Sequence, residues 1–494
     1  MDGGQWPAVF IITPLVGAAL TPIVARRRTQ IAGYWALFVF SIVSVAAAVL
    51  MYRQSTQGSF SYHMGGWPPP FGIELRFDEF SASIGVICLV GWLALMFSLT
   101  YVKHAIPERR IPYFFALMLL CLGGMNGFAV TGDLFNLFVF LEILSLSGYA
   151  LVAITGEHIA ELAAFKYLIM GAISSLSILL AIGFMYSLTG TLNMTDLAAR
   201  LGDVEPFPVA VAVAALALGF CVKAALFPLH IWLPDAHSIA PSPVSAILSG
   251  LVVKIGVLGM LRMYQILYAA QPFDLSALNM MLVWLGAISI IMGALFAVVQ
   301  EDIKMMLAYS TISNIGYIFM GLGLASSYGI IGATVHIFNH ALIKATLFLA
   351  AGALIHQTGY RDLRDLRGVG KAMPITSAAM AVGAISIVGI PPTAGFLCKW
   401  YITLGAIDAW RMLFALTLLF GALLIFVYYI RMLNAFYFMP PTHPEILSVG
   451  EAPVTMLIPI IVLAVLCLVM GVFGRIPLSF IEPAVVNMLA GVGG

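Results

Sequence analysis

Apolar residues in this chain come in runs of about 20, separated by short polar stretches, from one end to the other. Such a run, coiled as an α-helix, crosses a hydrocarbon core about 30 Å thick. The pattern predicts about fourteen membrane-spanning helices, beginning near residues 5, 31, 80, 111, 134, 162, 207, 243, 279, 305, 328, 373, 409 and 453. The longest polar interval is 53–79, which contains GWPPPFGIELRFDEF, so residues 1–494 are expected to form a single transmembrane domain. Two spans carry helix breakers at membrane depth. Pro228 follows Lys223 in LGFCVKAALFPLHIW, where it should break the helix carrying that lysine, and Pro391 and Pro392 interrupt GIPPTAGFLCKW. Proline removes a backbone donor and clashes with the preceding turn. Broken backbone inside a bilayer is tolerated only where it is buried in protein or lines a cavity. A pair of such interruptions marks a transport path.

Composition agrees: 62% of residues are hydrophobic and 9% charged, against about 25% charged in soluble domains. The net charge of +1 says nothing about partners, and no basic patch suggests nucleic acid. The five cysteines, Cys88, Cys121, Cys221, Cys398 and Cys467, lie in apolar runs without a CxxC pair and read as packed free thiols. With no cysteine cluster, no GxGxxG after a strand and no soluble domain, no cofactor or metal is expected on this chain, and a redox enzyme is a poor reading.

Basic residues set the orientation. With the N-terminus outside, the inner loops hold Arg26, Arg27, Arg28, Lys103, Arg109, Arg110, Lys304, Arg361, Arg364, Arg367, Lys371 and Arg431. The outer segments hold only Arg53, Arg76, Arg200, Arg411 and Arg475, and an even number of spans returns the C-terminus outside. The first run lacks a basic start and reads as a retained span. A prokaryotic plasma membrane is the expected location.

The charges left inside the spans change the picture most. Arg262 lies near an outer end and is expected to snorkel. The others are lysines on five different spans: Lys166, Lys223, Lys254, Lys344 and Lys399. Held charged against lipid, five lysines would cost on the order of 12–18 kcal/mol, comparable with a domain's net stability of roughly 5–15 kcal/mol. They must face an interior or hydrated path, or lose their protons. Lysine can lose its proton on desolvation, whereas a guanidinium stays charged. Glu142, in GDLFNLFVFLEIL, is the one clear mid-span acid, and its expected partner is Lys223. Lys254 lies at mid-span, far from either surface. Lys166 lies one turn into its span, where snorkelling and a relay role weigh equally. In HIFNHALIKATLF, His336, His340 and Lys344 recur at i, i+4 and i+8, on one helix face over about 12 Å. No acid or cysteine joins them on that face, which argues against a metal. Titratable groups arranged in this way suit a proton relay.

The stretches GDLFNLFVFLEIL, LPDAHSIAPSPVSAILSGLVVKIG, AYSTISNIGY and GIPPTAGFLCKW, in this order, resemble the antiporter-like subunit family. That family includes the large subunits of Mrp-type sodium/proton antiporters, of respiratory complex I and of membrane-bound hydrogenases. The resemblance covers nearly the whole chain. It implies an all-α polytopic fold of about fourteen helices, with two inverted five-helix repeats at 111–268 and 279–432 and with the seventh and twelfth helices broken. It also implies proton-translocation roles for Glu142, Lys223, Lys254, His336, His340, Lys344 and Lys399, and partners that are other hydrophobic subunits of a multisubunit complex. GDLFNLFVFLEIL and SLTGTLNMTDLA are most similar to the D subunit of Mrp antiporters, while LPDAHSIAPSPVSAI leans towards hydrogenase or complex I relatives. With about twenty residues after the last span, neither the lateral helix of complex I's largest such subunit nor the extra domains of the Mrp A subunit are expected. With one mid-span carboxylate the chain is better equipped for protons than for sodium, so any sodium path is expected in a partner. A stand-alone solute carrier and a purely structural subunit are the other readings.

Overall fold

The structure is a computed structural model that describes residues 4–270 and 273–490. Its helices, in chain order, are α1 (Trp6–Val24), α2 (Ile31–Gln57), α3 (Ser83–Ala105), α4 (Ile111–Val130), α5 (Leu134–Val152), α6 (His158–Thr189), α7 (Met194–Leu201), α8 (Pro206–Lys223), α9 (Trp232–Ile239) and α10 (Ser242–Ile247). After a π-helical turn, Leu248–Val252, follow α11 (Val253–Ala269), α12 (Ser276–Val299), α13 (Ile303–Gly323), α14 (Ser327–Thr358), α15 (Val369–Ala372), α16 (Pro374–Val388), α17 (Ala394–Asp408), α18 (Met412–Tyr437), α19 (Val454–Val472) and α20 (Arg475–Leu489). Among the described residues, 13 helices are long and apolar enough to cross a membrane, the segment from Ser242 to Ala269 counting as one.

The remaining expected span, near 373, is split. α16 and α17 are 15 residues each, shorter than a crossing helix, and Gly389 ends α16 in the left-handed conformation at φ +92°. The break near residue 223 differs from expectation. α8 ends at Lys223, five residues before Pro228, and Ala225 adopts φ +56°. The proline lies within the connection to α9 and does not itself end α8. The long loop after α2 is also more ordered than an all-helical pattern suggests, since Phe60–His63 (β1) pairs antiparallel with Glu74–Phe77 (β2).

Burial sorts the helices. Lys254 and the stretch around it, from Ser242 to Tyr264, lie inside the protein, as do most of α13 and α14. Close approach is achieved by small residues: a Cβ at Gly286 of α12 would lie 2.6 Å from the Met320 nitrogen of α13. In α6, α18 and α19 fewer than half of the residues along the apolar stretch are buried. One end of the bundle is pinned by Arg262 of α11, which is buried and not snorkelling. It forms a two-pronged ion pair with the buried Asp78 and donates to the Ala129 carbonyl at 3.0 Å. Burial alone would raise the Asp78 pKa, but the Arg262 and Arg76 guanidiniums and the Ser81 hydroxyl outweigh it and hold the carboxyl below its usual value.

Candidate functional site

Lys223, Lys254, His336, His340, Lys344 and Lys399 are all buried, and they fall into three adjoining clusters at the broken helices and between them. In the first, Lys223 is the last residue of α8, where its cation faces the negative end of the helix dipole. Its Nζ donates to Ser145 Oγ at 2.7 Å and to the Tyr167 hydroxyl at 3.5 Å, and lies 5.3 Å from the Tyr167 ring centre. Glu142 does not form the expected direct ion pair. Ser145, three residues further along α5, takes the ammonium instead, and Glu142 Oε1 is buried without a protein partner. Sequence reading missed this cage because serine and tyrosine are ordinary in apolar helices. Tyr149 packs edge-on to Tyr167, and Tyr167 stacks on Trp232 of α9 with ring centres 4.1 Å apart.

His237, also missed, stands on the far side of Trp232, ring centres 5.9 Å apart. Its ring is fully buried, and neither nitrogen has a protein partner. The available signal was its place just beyond a broken helix, in LPDAHSIAPSPVSAI. Lys304 corrects another expectation. It is not a surface charge of an inner loop but a buried residue in the first turn of α13, whose Nζ caps the Ala240 carbonyl at the end of α9. Lys166 remains half-exposed and pairs with Asp235 of α9 at 2.6 Å.

The second cluster joins the two lysines at the centre. Lys254 Nζ donates to the Ser249 carbonyl inside the π-turn of its own helix. Ser249 Oγ shares a hydrogen bond with Thr311 Oγ1 of α13 at 2.7 Å, and Thr311 donates to the Leu307 carbonyl at 3.0 Å. Lys344 of α14 donates to the same carbonyl at 2.8 Å. Lys254 and Lys344 are thus linked through one serine, one threonine and one shared acceptor.

The third cluster surrounds the second break. His336 and His340 stack on one face of α14 with ring centres 5.4 Å apart, two turns and one turn before Lys344 respectively. The cysteine thought absent from this face is supplied by α17: Cys398 Sγ lies 2.9 Å from His336 Nδ1. Among the described residues, no three His, Cys, Asp or Glu side chains cluster to hold a metal. Lys399 Nζ donates to Ile387 and Val388 carbonyls at 2.7 and 3.2 Å, closing the exposed end of α16 across the break. It also lies 4.5 Å from the Tyr317 ring centre. Pro391 and Pro392 sit in the connection that makes this geometry; Asn339 of α14 steadies it by donating to the Ala394 carbonyl at 2.8 Å.

A bundle of membrane-spanning helices, two of them interrupted beside buried lysines, is the architecture of a polytopic ion-pathway subunit. The family profile described as NADH:quinone oxidoreductase/Mrp antiporter, TM, matches residues 131–425, and the chain belongs to that family. The N subunit of the NADH-quinone oxidoreductase of Desulforudis audaxviator is 36% identical over 484 residues, 95% of this chain and 96% of that one. The D subunit of the Na(+)/H(+) antiporter of Alkalihalophilus pseudofirmus is 32% identical over 429 residues, 85% of each chain. Among solved structures, a chain of the membrane-bound sulfane sulfur reductase, an archaeal respiratory membrane complex, superposes with TM-score 0.91 at 31% identity, covering 99% of this chain and 98% of that one. A chain of the Mrp complex from a Dietzia species does so with TM-score 0.89 at 26% identity over the full length of both.

Proposed function

We propose that this chain is the proton-translocating, antiporter-like subunit of a multisubunit membrane complex, in the role of the Mrp-type Na+/H+ antiporter D subunit. The observation that carries the reading is the buried row from Lys223 through Lys254 and Lys344 to Lys399, whose gaps hold serine, threonine, tyrosine and histidine side chains. Such groups exchange protons among themselves and with ordered water. Glu142 Oε1, His336 Nε2 and both nitrogens of His237 and His340 lie along this row without protein partners, where water would complete the relay. Residues 111–268 and 279–432 act as the two half-channels, each with one broken helix, and Lys254 and Lys344 join them. Lys166, paired with Asp235 on the inner side, belongs to the margin of the first. The chain lies in a prokaryotic plasma membrane with both termini outside. Its own path carries protons, and sodium, where it is moved, crosses in a partner subunit.

Proton flux in membrane vesicles holding the whole complex tests this. Lys254→Ala and Glu142→Ala should each abolish flux while the complex still assembles. Flux that survives both would leave only a structural role.

A second reading keeps the same relay but drives it by electron transfer in partner subunits. It is favoured by the 36% identity to an NADH-quinone oxidoreductase subunit over nearly the full length. Purification of the complex in mild detergent separates the two. Partners that are all small hydrophobic subunits fit the antiporter, and iron–sulfur or nickel-bearing partners fit the redox-driven pump.

A further inference from the structure

We propose that His104 and His356 form a binding site for zinc, or a similar divalent ion, at the inner mouth of a hydroxyl-lined route to Lys254. The bound ion would stop proton uptake there. His104 lies in the last turn of α3 and His356 in the last turn of α14, at the ends that the charge bias puts on the inner side. Their ring centres are 5.2 Å apart with planes inclined at 44°. A tetrahedral zinc holds each imidazole nitrogen at about 2.0–2.1 Å, which places two ring centres about 5 Å apart. The observed spacing is therefore that of two imidazoles sharing one ion. His104 is exposed and His356 half-buried, so the site is reachable from the aqueous side. Among the described residues neither ring has a hydrogen-bond partner, which removes the ordinary role of a histidine capping carbonyls at a helix end. An imidazole pair without a carboxylate selects a borderline ion such as zinc over calcium or magnesium. With water in the two remaining positions the site is a reversible, inhibitory one.

What lies behind the pair gives the site its consequence. The His356 ring centre is 6.0 Å from that of Tyr101. The Tyr101 hydroxyl is 3.2 Å from Ser242 Oγ and accepts from the Ser242 amide at 3.2 Å. Ser242, Ser245 and Ser249 then recur at i, i+3 and i+7 on one buried face, and the Ser249 carbonyl holds Lys254. Hydroxyl groups thus recur along one buried face between the histidine pair and the central lysine, spaced for water to bridge them, and the histidine pair stands at the exposed end of that row.

The metal site stands on geometry alone; its effect on transport rests on the proposed function. The test uses the whole complex in inside-out vesicles, with zinc chloride added to the exposed inner face and proton flux recorded. Zinc should inhibit, and His104→Gln and His356→Gln should each raise the half-inhibiting concentration by about tenfold or more, each read against that variant's own zinc-free rate. Lys103→Gln, which alters the neighbouring charge but no ligand, should not. Cobalt added to the purified complex should give tetrahedral absorption bands that both histidine variants lose. Zinc inhibition that both variants leave in place overturns the blocked mouth, and missing cobalt bands overturn the metal site. Zinc-free flux, and its loss in Lys254→Ala, judges the proposed function separately.

Discussion

Lysine and arginine occupy different kinds of site in this protein. Arg262 is buried where a permanent charge is needed, facing Asp78 through two donors. Asp78→Ala should leave that charge uncompensated and destabilise by about 3–5 kcal/mol, while Asp78→Ala with Arg262→Met should recover most of the loss in thermal unfolding of the complex. The pair also has a pH signature. The Asp78 carboxyl is held below its ordinary value of 3.8, so its contribution is complete above that pH and fades as pH falls through the folded-state value. Unfolding temperature should therefore drop more steeply below about pH 4 in the wild type than in Asp78→Asn. Lys254 has the opposite requirement. It is held by a single carbonyl from its own helix, with no acid to fix its charge. Lys254→Arg should assemble normally and lose proton flux to background, because a guanidinium does not release its proton. Flux retained in that variant would exclude Lys254 as a relay group. Five of the lysines inside the spans, Lys166, Lys223, Lys254, Lys344 and Lys399, were visible in the sequence, but their partners were not. Ser145, Tyr167 and Thr311 come from other helices and carry no signal of their own in apolar segments.

The breaks are built by few residues. At the second, Gly389 combines a left-handed φ of +92° with close packing, since a Cβ there would lie 3.1 Å from Lys399 Cδ. Gly389→Ala should cost at least about 1–2 kcal/mol from backbone strain alone. Gly395→Ala should be worse, because its Cβ would collide with the Ser386 carbonyl oxygen, and backbone cannot swing aside as a side chain can. Thermal stability of the complex checks both, and Gly383→Ala, which meets only the flexible Leu347 side chain, is the milder comparison. The second break was legible in Gly389, Pro391 and Pro392 together. The first was misplaced because Pro228 drew attention from Ala225, whose positive φ no sequence rule assigns to alanine. Lys304 was misread for a similar reason: a charge beside a short inner loop looks solvated until the end of α9 folds over it.

Across the whole molecule, the helices that carry the central lysines and histidines are the most enclosed. α11, α13 and α14 carry the central lysines and histidines and are covered by others, whereas α6, α18 and α19 are only 39, 39 and 33% buried along their apolar windows. A photoactivated apolar carbene dissolved in the bilayer should label α6, α18 and α19 in the isolated chain and spare α11, α13 and α14. Labels on α14 beside Lys344 would contradict the enclosed arrangement. Loss of label on one outer helix when the complex is intact would mark the face that a partner covers. Hydropathy located the crossing helices to within a few residues. It could not rank them by depth, because apolar runs facing lipid and apolar runs facing protein read alike.

Lys399 ties charge to shape. Its ammonium is a rivet between the two halves of a severed helix, gripping the last carbonyls of α16 from the side of α17. A cation binds that negative helix end more strongly than a neutral amine does. If protons pass through Lys399 as proposed, each one that arrives or leaves would tighten or slacken the joint, and the halves of the severed helix would carry a mechanical trace of that traffic.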